Sequence, residues 1–386
     1  MGNTLDVTVN VSANIASLQA GMNQAAGAVQ GAANKMAGAG TALTLGVTAP
    51  LVALGNAAVQ SSTSINYQLA NVASLGVENA GKFKNSLQEL GVEMAIMPDE
   101  LAQGLYDVYS AFGPIENAFF ILEQSAMAAK AGLATTSESM SLLAAVTRGY
   151  GDTSSEAVSK VSDLAFMAVN LGQTTFPELA ASIGRVVPLA SSLGVAQEEL
   201  FGVMATATGV TGNTSEVATQ MRQTLQALLS PTEDTAKLMR DLGYSTGQAM
   251  MADLGYIGVL QTLQAASEAT GKPLQKFISG IEGQTLAIAL NGNLAGDYVD
   301  RLAAVSDASG STARAFEAQT NGINKAGFAM QQARVKMVVM AERLGDGLGP
   351  AILAATNAIG PFVDGLLQLS AIFANMPQGQ QMAIIG

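Results

Sequence analysis

Residues 175–193, TFPELAASIGRVVPLASSL, contain the local signals that decide the fold class. Thr175 and Glu178 have the spacing of a capping box, in which a hydroxyl and a carboxylate satisfy amide groups that a helix N-terminus leaves open. Pro177 lies within the first turn, where proline is tolerated. Apolar residues then recur at helical spacing, namely Leu179, Ile183 and Val186. The stretch therefore predicts a helix that begins beside Thr175.

The same start signal recurs along this part of the chain. Further pairs with capping-box spacing are Thr135/Glu138, Thr153/Glu156 and Ser230/Glu233. Apolar positions between the starts follow helical spacing, as in Leu101, Leu105, Val108 and Phe112, and again in Leu225, Leu228 and Leu229. Glycine-rich breaks occur at 149–151, 209–213 and 292–296, and the connections between them are short. We therefore expect a mainly α fold, with a bundle of helical hairpins over about 66–310.

The composition limits the chemistry that the chain can perform. Its 386 residues include no cysteine and no histidine, which excludes thiolate nucleophiles, disulfides and the commonest general base and metal ligand. A net charge of −12 disfavours nonspecific binding to nucleic acid. The remaining candidates for acid–base work are paired carboxylates, Glu198/Glu199 and Asp297/Asp300, which lie where solvated or helix-capping acids are usual. We therefore predict no enzyme activity, and no catalytic, cofactor-binding or metal-binding residue.

The N-terminal region has a different pattern. Residues 5–12 alternate apolar and polar side chains, which predicts a short strand. A strict heptad follows, formed by Ile15, Met22, Val29, Met36 and Leu43, with Leu18 and then small residues at the positions between. Such a narrow stripe needs another helix to cover it. We predict that Ile15, Leu18, Met22, Val29, Met36 and Leu43 belong to an interface of a homo-oligomer.

A second heptad lies near the other end of the sequence. Its members are Ile323, Met330, Met337 and Leu344, with Ala326, Ala333 and Met340 between them. Arg334, Lys336 and Arg343 flank this seam without an acidic residue beside them. Two interpretations remain open: an amphipathic helix that packs on the bundle, or a long helix that pairs outside its own subunit. The second would add Ile323, Met330, Met337 and Leu344 to the oligomer interface.

Two uncharged segments suggest an alternative function. Residues 36–65 contain no charged side chain, and residues 351–374 contain only Asp364. Both are long enough to cross a bilayer, although each is interrupted by proline. A membrane-active protein, either a pore-former or an effector, is therefore the alternative to a structural role. The sequence ends within an apolar run, so we expect the natural chain to continue past Gly386.

Four stretches carry a resemblance to a known family: 48–76, 90–113, 174–244 and 277–322. The most specific is 174–244. There a helix leads to the hinge VVPLASSLGV, an EEL helix, a glycine-rich turn, the helix TQMRQTL and an SPT turn. This order resembles the core region of phage tail tape measure proteins, over about 49–344. The likeness is one of helix order and turn chemistry, so it assigns no site residues.

The resemblance implies a structural virion protein of a long-tailed phage or phage-like particle. Such a protein occupies the tail tube lumen, templates tail assembly and length, and leaves ahead of the DNA. It is made in the bacterial host cytoplasm, and the implied partners are the tail tube protein, tail assembly chaperones and tail tip or baseplate proteins, with host membrane contact on ejection. The domains we expect are an N-terminal heptad region over 1–65, a tape-measure-like core over 66–310, and a long amphipathic helix leading into an apolar region over 311–386.

Overall fold

The computed structural model describes residues 63–343 and 345–346, and its secondary structure there is helical. We number the helices α1 to α16, where α1 covers residues 63–74 and α16 covers 325–343. The first half continues with α2 Phe83–Met94, α3 Pro98–Phe112, α4 Ala118–Gly132, α5 Thr136–Tyr150, α6 Ser155–Leu171, α7 Phe176–Ile183 and α8 Val187–Leu193. The second half contains α9 Gln197–Thr211, α10 Thr214–Leu229, α11 Glu233–Asp241, α12 Gly247–Thr270, α13 Ile281–Asn291, α14 Ala295–Ser306 and α15 Ser311–Asn321.

The mainly α fold predicted from the sequence is confirmed. No strand occurs among the residues that the structure describes, and the strand predicted over 5–12 lies outside them. The helices belong to one unit of the chain, Ser61–Glu342. The other unit, Met1–Gln60 with Arg343–Gly386, is almost entirely outside the described residues. The three domain boundaries expected from the sequence therefore stay a prediction.

One hydrophobic core runs through the helical unit, from Ile65 in α1 to Ala308 after α14. Helices α3, α4 and α5 contact one another, and α9 contacts α6, α10 and α14. The chain also returns on itself, because α15 packs against α4 and α6. Consecutive helices therefore form local hairpins, while contacts distant in sequence close the bundle.

Close approach between helices depends on glycine at the contact faces. A β-carbon placed on Gly149 in α5 would lie 2.0 Å from Cγ1 of the buried Val187 in α8. A β-carbon on Gly132, the last residue of α4, would lie 2.2 Å from the ring of the buried Phe176. No side chain fits at such distances without displacing its neighbour. The low aromatic content of the chain thus goes with closely spaced helix axes.

Two of the four predicted capping boxes are confirmed. Thr135 and Thr175 each accept a hydrogen bond from the amide of the glutamate three residues later, and that glutamate accepts one in return. The box at Thr153/Glu156 is wrong by one residue, because Ser154 is the N-cap of α6 and accepts from Ala157 N at 3.2 Å. Consecutive hydroxyl residues offer competing caps there, and their spacing alone does not distinguish them.

The box predicted at Ser230/Glu233 is also wrong. Ser230 follows the last residue of α10, and Thr232 is the N-cap of α11, accepting from Thr235 N at 3.1 Å. Tertiary contacts fix this choice, because the hydroxyls of Thr232 and Thr235 both donate to backbone carbonyls at the turn after α12. Leu229, expected on the apolar face of α10, is 44% exposed at the helix end.

Two carboxylates bind the open starts of helices other than their own. The residue before α15 is Gly310, which has no side chain, and Asp163 in α6 accepts from Gly310 N at 2.7 Å and Thr312 N at 2.9 Å. Glu199 in α9 accepts from Tyr256 N at 2.8 Å, directly after the break in α12 at Gly255, where φ is 66°. These carboxylates satisfy amide groups that a helix start leaves without a partner.

The glycine contacts predict unequal effects of adding a methyl group. Gly149→Ala should lower the free energy of unfolding by about 1–3 kcal/mol, because Val187 has to move. Gly296→Ala in α14, where no atom lies within 4 Å of the added carbon, should be neutral or stabilising by up to about 1 kcal/mol. Urea unfolding followed by circular dichroism measures both. Equal effects at the two sites would contradict the packing described here.

The contacts of Asp163 predict a graded loss of stability. Asp163→Ala should cost about 1–3 kcal/mol, because two backbone amides lose their acceptor. Asp163→Asn should cost less, since its remaining oxygen still accepts one bond. Asp297→Ala, at the exposed first turn of α14, serves as the matched control and should change stability by less than about 0.5 kcal/mol. The measurement is again urea unfolding, and an Asp163→Ala variant as stable as the control would refute the capping role.

Candidate interaction surface

Helix α16 packs on the bundle through one of its faces. Val335 is only 2% exposed, and Val339 and Glu342 are also buried on this face. Phe328, one helical repeat earlier, is half-buried and meets Phe316 of α15 edge-on, with the ring centroids 6.2 Å apart. The residues that hold α16 on the bundle are therefore ones that the heptad pattern does not include.

Polar contacts fix the rotation of α16 about its axis. Gln332 donates to the backbone oxygen of Glu93 at 3.2 Å, and Gln88 donates to the buried carboxylate of Glu342 at 2.9 Å. The ammonium of Lys130 donates to Gln331 at 3.3 Å and to the carbonyl of Ala95 at 3.0 Å. Burial lowers the pKa of Lys130, while the charge of Glu100 opposes that shift. These bonds lie on several turns, so the helix has one orientation on the bundle.

The heptad residues lie on the exposed face of α16. Met330 is 76% exposed and Met337 is 66% exposed, Met340 is also exposed, and Ile323 in the turn before the helix is fully exposed. Ala326 and Ala333 between them are exposed as well. We call the row Ile323, Met330, Met337 and Met340 the methionine stripe. Leu344, the fourth predicted heptad residue, is not among those whose side chains are described.

The two interpretations left open by the sequence describe different faces of the same helix. Phe328, Val335 and Val339 form a second apolar row, in which both valines are buried and Phe328 meets Phe316 of α15. The first row stays exposed. The second row was not predicted, because the strict seven-residue repeat identifies only the first row. The spacing of seven and four residues among these three side chains was the available signal.

Basic side chains border the methionine stripe. Arg334 and Lys336 are exposed, and they occupy the heptad positions that flank the seam, conventionally e and g. Glu342 is the one acidic residue among residues 325–343, and it faces the bundle. The stripe is therefore an apolar row with positive borders in a chain whose net charge is −12.

The other predicted interface residues lie outside the described part of the chain, and their role stays a prediction. They are Ile15, Leu18, Met22, Val29, Met36 and Leu43. The uncharged segments behind the membrane alternative also fall outside it, apart from residues 63–65. Among the helices that are described, none is both long and apolar enough to span a bilayer.

A surface cleft of about 590 Å³ lies between α6, α9 and the end of α14. It contains Glu198, one of the carboxylates considered from the sequence, which pairs with Lys160 at 2.7 Å. Burial opposes ionisation of Glu198, but the hydrogen bond from Lys160 holds the pKa of that carboxyl below its usual value. Asp163, also in the cleft, accepts the two amides at the start of α15. These carboxylates have structural partners, as does Glu199.

Comparisons with known proteins place these helices in a family. The family model of phage-related minor tail proteins matches residues 84–282, from α2 to the start of α13. The tape measure protein of Pneumococcus phage Dp-1 is 25% identical over 368 residues, which cover 91% of this chain and 30% of that protein. The probable tape measure protein of Clostridium phage phiCD119 is 24% identical over 304 residues, 75% of this chain and 31% of that protein. No solved structure matches.

The matches confirm the resemblance that helix order and turn chemistry carried. The chain spans about three tenths of the length of these curated relatives. The family match covers the bundle that the structure describes, whereas the methionine stripe lies beyond its last matched residue. The helical bundle, its turn sequence and the match over more than half of the residues lead to one conclusion: the chain belongs to the family of phage-related minor tail proteins.

Proposed function

We propose that the chain is the N-terminal region of a tail tape measure protein. In this proposal it lies in the lumen of the tail tube, helps to template the assembly and length of the tube, and leaves ahead of the DNA on ejection. The observation that carries the proposal is the similarity to two tape measure proteins over 91% and 75% of the chain. The role is structural and requires no catalytic group.

The dimensions of the chain fit a part of such a protein. Even a continuous helix of 386 residues would reach only about 580 Å at about 1.5 Å per residue, and the bundle is far shorter. In the relatives, about seven tenths of the protein lies outside the part that matches this chain. We assign the measuring length to that remainder. We assign residues 1–65 to association, 66–310 to a docking core and 311–386 to the connection with the remaining chain.

The proposal includes association between copies. An exposed row of large apolar side chains on a helix is stable in water when another helix covers it. We assign Met330 and Met337, with Ile323 and Leu344, to such an interface, and the N-terminal heptad from Ile15 to Leu43 to a second contact surface. Further partners in this proposal are the tail tube protein, tail assembly chaperones and tail tip or baseplate proteins, and host membrane contact occurs on ejection.

The lumenal location predicts protection of the chain in intact virions. Protease added to intact particles of the encoding phage should leave peptides from residues 63–342 uncut, because the tube wall excludes the enzyme. After DNA release is triggered, the same peptides should leave the particle or become cleavable. Quantitative mass spectrometry measures both states, with an outer tail protein as the control for protease activity. Peptides that are cleaved in intact virions, or missing from them, would refute the lumenal role.

The proposed interface predicts a defined effect of charge on the methionine stripe. Met330→Asp with Met337→Asp should weaken self-association by at least about 100-fold, because two carboxylates would have to be desolvated. Ile288→Asp with Val299→Asp is the matched control, since both residues are exposed apolar side chains on other helices. Sedimentation velocity over a concentration series measures the change, and circular dichroism checks that the fold is kept.

Two results would contradict the association. One is a parent chain that stays monomeric at tens of micromolar. The other is an equal loss of association in the stripe variant and in the control variant. Either outcome would leave the family membership unchanged, since that rests on the sequence match over residues 84–282.

A further inference from the structure

The methionine stripe needs a partner that comes from outside the bundle. Met330 and Met337 are separated by about 10 Å along the helix, at about 1.5 Å per residue, and both point away from the core. The opposite face is fixed by Val335 and by the bonds of Gln332 and Glu342, so α16 cannot turn the stripe inward. A covering helix therefore comes from outside residues 63–343, either from the rest of the chain or from another molecule.

A second copy of α16 is a poor partner for this stripe. Arg334 and Lys336 occupy the flanking e and g positions, and no acidic residue occupies an e or g position between 322 and 343. Pairing two such helices would align six basic side chains along one seam, since Arg343 occupies a further g position in each copy. Like charges at flanking positions disfavour a pairing and are a common means of specifying partners.

The N-terminal heptad would repel the stripe less than a second α16 would, and its small residues suit methionine side chains. Between residues 15 and 43 the one charged side chain is Lys35, and the flanking positions are otherwise amides and small residues. Alanines at 25, 32 and 39 leave room for flexible methionine side chains to insert. As a helix the segment would extend about 43 Å at about 1.5 Å per residue, longer than the stripe, so it reaches past both ends.

We propose that the methionine stripe binds residues 15–43 of a neighbouring copy of the chain. The inference rests on the proposed association and specifies which surfaces meet. The two surfaces are different, so the contact is heterologous: each copy offers one surface to the next and receives the other from the previous one. Such contacts build open filaments or closed rings, the smallest of which is a dimer with two reciprocal contacts.

The absence of cysteine from the parent sequence makes cross-linking unambiguous. One chain carries Met337→Cys and one epitope tag, and a second chain carries Val29→Cys and another tag. Met22→Cys and Met36→Cys in the second chain cover the possible registers, and Met330→Cys replaces Met337→Cys if the latter fails to fold. After mixing and mild oxidation, doubly tagged product is quantified on denaturing gels. Val299→Cys, an equally exposed apolar site on α14, is the matched control for the first chain.

We expect about tenfold more doubly tagged product from Met337→Cys than from Val299→Cys, because neighbours in an interface react at a high effective concentration. Product that joins Met337→Cys chains only to one another would overturn the inference and leave association intact. Yields no higher than those of the control would also overturn it. Sedimentation of the parent chain reports separately on the proposed association, so the two failures are distinguishable.

Discussion

Close contact between helices, made possible by glycine at the points of contact, is the constraint on which the bundle depends. The chain has few aromatic residues and no tryptophan, so its core is assembled from thin side chains. Thin side chains fill the interior only if the helix axes approach closely. Gly132 under the Phe176 ring and Gly149 under Val187 are two places where that approach is close. The packing of the helices depends on these close contacts as well as on the apolar faces.

The helical class and two of the four predicted helix starts could be predicted from the sequence, because they depend on neighbouring residues. The boxes at Thr135 and Thr175 need nothing beyond a span of four residues. The start of α11 at Thr232 could not be predicted in the same way, since its hydroxyl also bonds to a carbonyl 44 positions later. The contact of Asp163 with α15 spans nearly 150 residues and leaves no local signal at either end.

The interaction surface was partly predictable for a related reason. A heptad repeat identifies which side chains share a row, and Met330 and Met337 do share one. It does not say which of two rows on the same helix meets the bundle. That depends on the partners of Gln332 and Glu342, Glu93 and Gln88, which both lie in α2, far away in the sequence. The heptad repeat thus predicts which side chains share a row on α16. Tertiary contacts determine which row faces the bundle and which faces the solvent.

The order of the polar contacts along α16 has a mechanical consequence. A tensile load applied at residue 342 would first act on the contact between Glu342 and Gln88, and only then on Gln332 and Gln331. The load would break these bonds one after another. By contrast, Asp163 and Ser162 of α6 bind the start of α15 through neighbouring bonds, which would have to break together. Under traction, α16 would therefore peel away at low force while the bundle beneath it kept its shape.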